Sequence, residues 1–360
     1  MNKISRRQLL LRLLAGASAL TLEQFIAACT PKPTSSPTSA PATSLSTSKP
    51  QASASSTPIP TNPPQATTSA STSAPSATNP PAPTLSPTPA NYDMVVVRNA
   101  EPEALVRKAF EVFGGINKFI KPGMKVIIKP NICVAYHTYE YAATTNPWVV
   151  GTLVKMCFEA GAGSVRVMDQ PFGGTAKDAY AISGIQDQVK ANGGEMVIMS
   201  GYRYVPAVIK DAKAMKNVVL YDEFLKADAI INVPIAKDHS LSRLTLGMKN
   251  LMGIVDDREG MHYNLGQKLA DLLTLVKPQL TLVDAVRILT ANGPTGGNLD
   301  DVKKLDTVIL TQDVVAADTY AATLFDVTPM ELANIGAAVA MKLGRSDLKN
   351  LKIQEINLAA

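Results

Sequence analysis

Residues 93–360 predict an α/β domain with a mostly parallel β-sheet flanked by helices. Short β-branched runs alternate with stretches of helical periodicity, and Gly and Pro punctuate the joins. Several of the runs are also apolar throughout, as strands covered on both faces must be.

Taken in order, Met94–Val97 reads as a strand, Pro102–Phe119 as a helix, Lys125–Ile128 as a strand and Pro147–Ala160 as a helix. Asn146-Pro147 is a well-formed helix start, with Asn as N-cap and Pro at the first helical position. Further strands are expected at Ser164–Met168, Glu195–Met199, Val218–Tyr221, Ala229–Val233, Leu280–Val283 and Thr307–Leu310. Further helices are expected at Leu241–Val255, Leu265–Val276, Val314–Leu324 and Pro329–Leu343. No fixed-period repeat is present, which argues against solenoids and propellers.

The N-terminal quarter is of another kind. Residues 30–92 hold 15 Pro and 27 Ser or Thr among 63 positions, too little apolar surface to offset the entropy of ordering them. They read as a disordered linker that would span roughly 45 Å as a mixed coil. Ahead of it, residues 1–28 read as a signal peptide. A basic start is followed by a modest apolar stretch, Leu9–Ile26, broken by Arg12, Glu23 and Gln24, and that composition suits a signal better than a spanning helix. Arg6-Arg7 before Leu9-Leu10-Leu11 resembles the twin-arginine export motif, which implies the twin-arginine machinery as a partner. The alternative is the positive n-region of a general secretory signal.

Ile26-Ala27-Ala28-Cys29 resembles a bacterial lipobox, which would place lipid on Cys29 and begin the mature chain there. Several acyl chains give stable anchoring where one binds only marginally. The expected location is therefore extracytoplasmic, at the outer face of the cytoplasmic membrane, with residues 29–92 as a tether and 93–360 as the folded domain.

Charge narrows the partners further. The net charge of +5 is carried entirely by residues 1–92, with six Lys or Arg against one acidic residue, and the remainder holds 29 of each sign. A neutral domain has no surplus to drive nucleic-acid binding, so a small-molecule ligand is the expected partner. Of three cysteines, lipidation of Cys29 would leave Cys133 and Cys157, read as two buried thiols in preference to a disulfide.

In parallel α/β folds, ligands bind beyond the carboxyl ends of the strands, so polar residues just after each strand are the candidates. Lys129 and Asn131 follow one strand, Asp169 another, and Asn232, Lys237 and His239 a third. Asp284 and Asn292 follow a fourth. Lys129, Lys237, His239, Lys249 and Asn250 are the catalytic candidates: lysines for charge stabilisation, His239 for proton transfer near neutral pH. Asn131, Asp169, Asn232, Asp284 and Asn292 are ligand-binding candidates. His137, His239 and His262 could hold a transition metal if the fold brings them together, although no short-spaced ligand pair supports it. Gly173-Gly174 and Gly293–Gly297 are candidate anion cradles, but neither is a Walker loop or Rossmann fingerprint.

Lys129-Pro130-Asn131, Thr145-Asn146-Pro147, Asn232-Val233-Pro234 with Lys237-Asp238-His239, and Leu244-Thr245-Leu246-Gly247-Met248-Lys249-Asn250-Leu251-Met252-Gly253 occur in that order. Together with Asp284-Ala285 and Asn292–Gly297, they resemble the DUF362 family over most of residues 93–356. The Gly247–Gly253 stretch is the most specific piece, and on a continuous helix Lys249 and Gly253 would share a face. Many members of that family carry a cysteine-rich ferredoxin-like module. This chain departs from the pattern, because an iron–sulfur cluster normally needs four thiolates and only Cys133 and Cys157 remain. The candidate residues point to an enzyme acting on a small anionic ligand, with Lys129, Lys237, His239, Lys249 and Asn250 in its pocket; the alternative is an extracytoplasmic ligand-binding lipoprotein without catalysis.

Overall fold

The computed structural model describes residues 91–359. The signal segment, Arg6, Arg7, Cys29 and the linker up to residue 90 lie outside the described residues.

The strands are β1 (Met94–Arg98), β2 (Lys125–Pro130), β3 (Ser164–Val167), β4 (Glu195–Met196), β5 (Tyr204–Val208), β6 (Asn217–Tyr221), β7 (Ala229–Val233), β8 (Ile235–His239), β9 (Arg243–Thr245), β10 (Leu280–Leu289), β11 (Val302–Thr311) and β12 (Ile353–Asn357). The main sheet runs β12-β1-β11-β10-β7-β2-β3-β4, with β8 alongside β10 and β9 alongside β8. From β10 through β7, β2 and β3 to β4 every pairing is parallel, and β11 runs against both of its neighbours.

The helices are α1 (Pro102–Val112), α2 (Pro147–Glu159), α3 (Ala176–Ile182), α4 (Ile185–Ala191), α5 (Gly247–Asn250), α6 (Arg258–Met261), α7 (Leu265–Leu275), α8 (Val314–Ala322) and α9 (Ala333–Ala340). They cover both faces of the sheet. Along β1, Met94 and Val96 join a core with residues of α7, α8 and α9, while Val95 and Val97 join a second core with residues of α1, α2 and α4. Period-2 alternation thus sends each strand's side chains into two cores, which is why the strands read as unbroken apolar runs. Each fully buried Val or Leu there contributes about 1.5–3 kcal/mol.

The helix start at Asn146-Pro147 forms as expected: Asn146 Oδ1 accepts from the Trp148 amide at 3.0 Å, with Pro147 in the first turn. A cap of this kind contributes about 1 kcal/mol.

Other expectations need correction. Val218–Tyr221 is a strand, but it pairs with β5 in a separate two-stranded sheet. The expected helix at Leu241–Val255 is broken into β9, the four-residue α5 and a 3-10 turn at Leu251–Ile254. Thr245 is paired to Lys237 in the ladder, and Asp318 on α8 accepts from the amides of Gly247 at 2.5 Å and Met248 at 3.0 Å, so tertiary partners start the helix late. Helical spacing alone contains neither constraint. Strands β5, β8, β9 and β12 were not expected, all of them short or polar.

Candidate functional site

Beyond the carboxyl ends of β2, β3 and β8 lies a cavity of about 620 Å³, closed on one side by α5 and on the other by α6. Lys129, Asn131, Asp169, Lys237, His239, Lys249 and Asn250 all line it, so strands distant in sequence deliver most of the expected residues to one place. Their roles differ sharply once their partners are counted.

Lys129 is fully buried and uses all three of its donors: Asp169 Oδ1 at 2.7 Å, the Pro130 carbonyl at 3.0 Å and Asn250 Oδ1 at 3.1 Å. Burial pushes its pKa down, and the Asp169 carboxylate opposes that shift. Asp169 also accepts from the Ile132 amide at 2.7 Å and the Gln170 amide at 2.9 Å. The pair is therefore a closed ionic joint between β2 and β3. Gly253 packs on it: a Cβ there would sit 2.2 Å from Asp169 Oδ1 and 2.9 Å from Lys129 Nζ. The glycine makes room for this joint, and with the helix broken it is no i+4 neighbour of Lys249 on a helix face.

Asn250 is equally committed. Its amide nitrogen donates to the Lys129 carbonyl at 3.1 Å and Asn232 Oδ1 at 2.9 Å, and its oxygen accepts from Lys129 Nζ and from Asn131 Nδ2, both at 3.1 Å. With every donor and acceptor used, Asn250 joins α5 to β2 and β7 and is not available for chemistry. Asn232 stands behind it, holding the Gly247 carbonyl at 3.0 Å, and does not line the cavity.

Lys237 spends two donors on the carbonyls of Ala143 (2.6 Å) and Pro294 (2.9 Å), and burial lowers its pKa. Lys249 differs from both. It is only 8 % exposed, lines the cavity and makes no hydrogen bond or ion pair among the described residues. Burial first, and then Lys237, holds its pKa down to about 8, with Arg258 and Lys129 adding to the shift and Cys133 opposing it.

His239 accepts from the Leu241 amide at Nδ1 (3.0 Å), so its proton sits on Nε2. Burial, helped by Lys249, Lys237 and His262, pushes its pKa down to about 3. That corrects the expectation of proton transfer near neutral pH: the ring is neutral there, and its Nε2–H has no acceptor among the described residues.

The remaining candidates fall elsewhere. Asp284 is fully buried in β10, where it accepts from the amides of Asn146 (2.6 Å) and Val286 (2.9 Å) and ties α2 to the sheet; burial raises its pKa to about 6. Asn292 takes a left-handed turn conformation (φ 55°) and donates to Asp301 at 2.8 Å, outside the cavity. His137 stacks on Tyr141, with ring centroids 4.6 Å apart, while His239 and His262 lie 6.5 Å apart at the cavity. The three imidazoles do not converge, because the loop carrying His137 packs on its own aromatic neighbours.

Both glycine segments have some of their amides already engaged. The amides of Phe172 and Gly173 already donate to the Cys133 carbonyl, and that of Gly293 to Asp238 at 2.9 Å. Cys133 and Cys157 are free, buried thiols, and burial pushes Cys157 up to about 12.

Sequence reasoning missed Arg258. One terminal nitrogen (Nη1) donates to the carbonyls of Gln170 at 2.9 Å and Pro171 at 3.1 Å, while the rest of the guanidinium has no partner among the described residues. Its only signal was the charged run Asp256–Glu259 after the apolar motif, which reads as an ordinary solvated stretch. Asp256, Asp257 and Glu259 are exposed around the mouth, so the cavity is basic at its floor and acidic at its rim.

Comparisons with known proteins bring in a family. A thylakoid-associated protein of Synechocystis is 26% identical over 243 residues, 65% of this chain and 73% of that protein. Among solved structures, the lactate racemase apoprotein of Thermoanaerobacterium thermosaccharolyticum is 10% identical with a TM-score of 0.42, covering 65% of this chain and 57% of that one. A Thermotoga maritima protein solved by a structural genomics consortium is 13% identical with a TM-score of 0.37, covering 62% and 58%. The chain thus spans less than three fifths of either structure. The family described as "Domain of unknown function (DUF362)" matches residues 126–323, the segment that contains β2, β3, β7, β8, α5 and the whole floor of the cavity, and the chain belongs to it.

Proposed function

We propose that this protein binds a small anion at the carboxyl edge of its sheet and acts on it as an enzyme. The observation that carries the reading is Lys249, a buried cavity amine without a partner, beside an Arg258 that has guanidinium nitrogens to spare. A largely desolvated cation at a cavity wall is costly to the fold, and such groups persist where a ligand completes them. Phe172 and Leu241 line the same cavity and are 70% and 71% exposed, which suits a ligand with an apolar part.

The test is calorimetric titration with malonate, a fully charged dicarboxylate. Binding is expected to be level below about pH 8. Above that, Lys249 in the empty site has lost its proton and must regain it, so affinity falls by up to about tenfold per pH unit. No binding at any pH would sink the reading.

We further propose that the domain is exported through the twin-arginine route and held at the outer face of the cytoplasmic membrane by lipid on Cys29. Support comes from Arg6-Arg7 and from Ile26-Ala27-Ala28-Cys29. The Synechocystis relative, thylakoid-associated by name, is in keeping with a membrane location. Among the described residues no helix is long and apolar enough to cross a membrane. The variant Cys29→Ala is expected to move the protein from the membrane pellet to the soluble fraction and to abolish labelling by a fatty-acid probe. Unchanged labelling would refute the anchor.

A further inference from the structure

We propose that Lys249 is a Schiff-base lysine and that the cavity takes a small oxo acid, whose carboxylate rests on Arg258 and whose carbonyl carbon is attacked by Nζ. The inference rests on the anion-binding reading above and adds a substrate class and a covalent step.

The geometry separates Lys249 from the other two cavity lysines. Lys129 has all of its donors in fixed bonds, and Lys237 is tied to two carbonyls, so neither can swing to a carbonyl carbon without breaking them. Lys249 has no such tether, is 8 % exposed and faces cavity space. Imine formation needs the neutral amine, and a desolvated lysine among other cations reaches that form close to neutral pH. The charged and titratable groups around it are Lys237 and His239 on β8, Lys129 on β2, Cys133 in the loop after β2, Arg258 on α6 and His262 just beyond it. Lys237, Arg258 and Lys129 disfavour its protonated form and Cys133 opposes them, while the carboxylates of the same cavity, Asp169 held by Lys129 and Asp256, Asp257 and Glu259 exposed at the mouth, are not among the causes of its shift.

The same surroundings select the ligand. An aldehyde or ketone supplies the electrophile, and a carboxylate matches the guanidinium nitrogens that Arg258 leaves free. His239, neutral with its proton on Nε2, can donate a hydrogen bond to an oxygen that is gaining charge without itself losing the proton. In the step, the Nζ lone pair forms the N–C bond as the C=O π pair moves to oxygen. The two nitrogen protons then leave with that oxygen as water, giving C=N. No oxidant or other reactant is required.

The experiment incubates the full-length protein with pyruvate, adds sodium borohydride and maps the reduced adduct by peptide mass spectrometry. One adduct is expected, on the peptide carrying Lys249, with a rate that rises about tenfold per pH unit until it levels near pH 8. Lys249→Arg is expected to abolish it. Malonate, which has no ketone or aldehyde carbonyl, serves as the independent check on anion binding. If malonate binds and pyruvate leaves no adduct on Lys249, the covalent step is wrong and the anion-binding reading stands. If neither binds, both fail. An adduct confined to other lysines overturns the assignment of Lys249.

Discussion

Asp169→Ala is expected to lower the unfolding free energy by about 3–5 kcal/mol, the usual effect of removing one member of a buried ion pair. Lys129 would keep the carbonyl of Pro130 and the oxygen of Asn250 but lose its 2.7 Å carboxylate, and no water reaches it, since the side chain is 0% exposed. Burial already holds its pKa down against the carboxylate's pull, so without that pull the lysine gives up its proton, which limits the loss. The Ile132 and Gln170 amides would lose their acceptor as well. Urea unfolding followed by far-ultraviolet circular dichroism measures the change. The double variant Lys129→Met with Asp169→Asn is expected to recover most of it, because no uncompensated charge remains. A loss below about 1 kcal/mol in the single variant would mean that the joint is no more than a surface-type pair.

Lys249→Met is expected to do the opposite to the fold and more to the function. It removes the one cavity amine that has no partner among the described residues, so malonate affinity should fall by roughly 10- to 100-fold, the range for a hydrogen bond to a charged group. The pH dependence above 8 should vanish with it. The side chain that replaces it is apolar, of similar length and needs no partner, so thermal stability should rise by a small amount. Weaker binding with a firmer fold is the signature of a group kept for a ligand. Equal stability and unchanged malonate affinity would instead place Lys249 among ordinary buried lysines.

Much of this site could be read from the chain because a parallel sheet has a simple rule: ligands meet the carboxyl ends of strands. Lys129, Lys237 and His239 follow from that rule and Lys249 from the Gly247–Gly253 motif, and the cavity does gather them. Their division of labour could not be read, since it depends on who occupies each donor. Lys129 and Lys249 are the same residue type at the same cavity, yet among the described residues one has three partners and the other none. Asn250 looked like a catalytic amide and is a joint between strands. Asp284 lies within the longer β10 and Asn292 after it, and they serve a helix start and a turn, which are the commonest uses of such residues.

The sequence by itself determined the α/β architecture, the covered parallel strands, the start of α2 at Asn146-Pro147 and the neutrality of the folded part, because periodicity, capping and net charge are local or additive properties. Only the tertiary structure decided that Leu241–Val255 breaks after β9, that Arg258 enters the cavity, and that Lys249 is left without a partner. Each of these outcomes depends on groups far apart in the chain: Asp318 capping α5 from α8, the 170–171 carbonyls turning Arg258 inward, and Asp169 claiming Lys129. Hydrogen bonds between distant segments carry no periodic trace in a sequence, and they decide which of several lysines stays free.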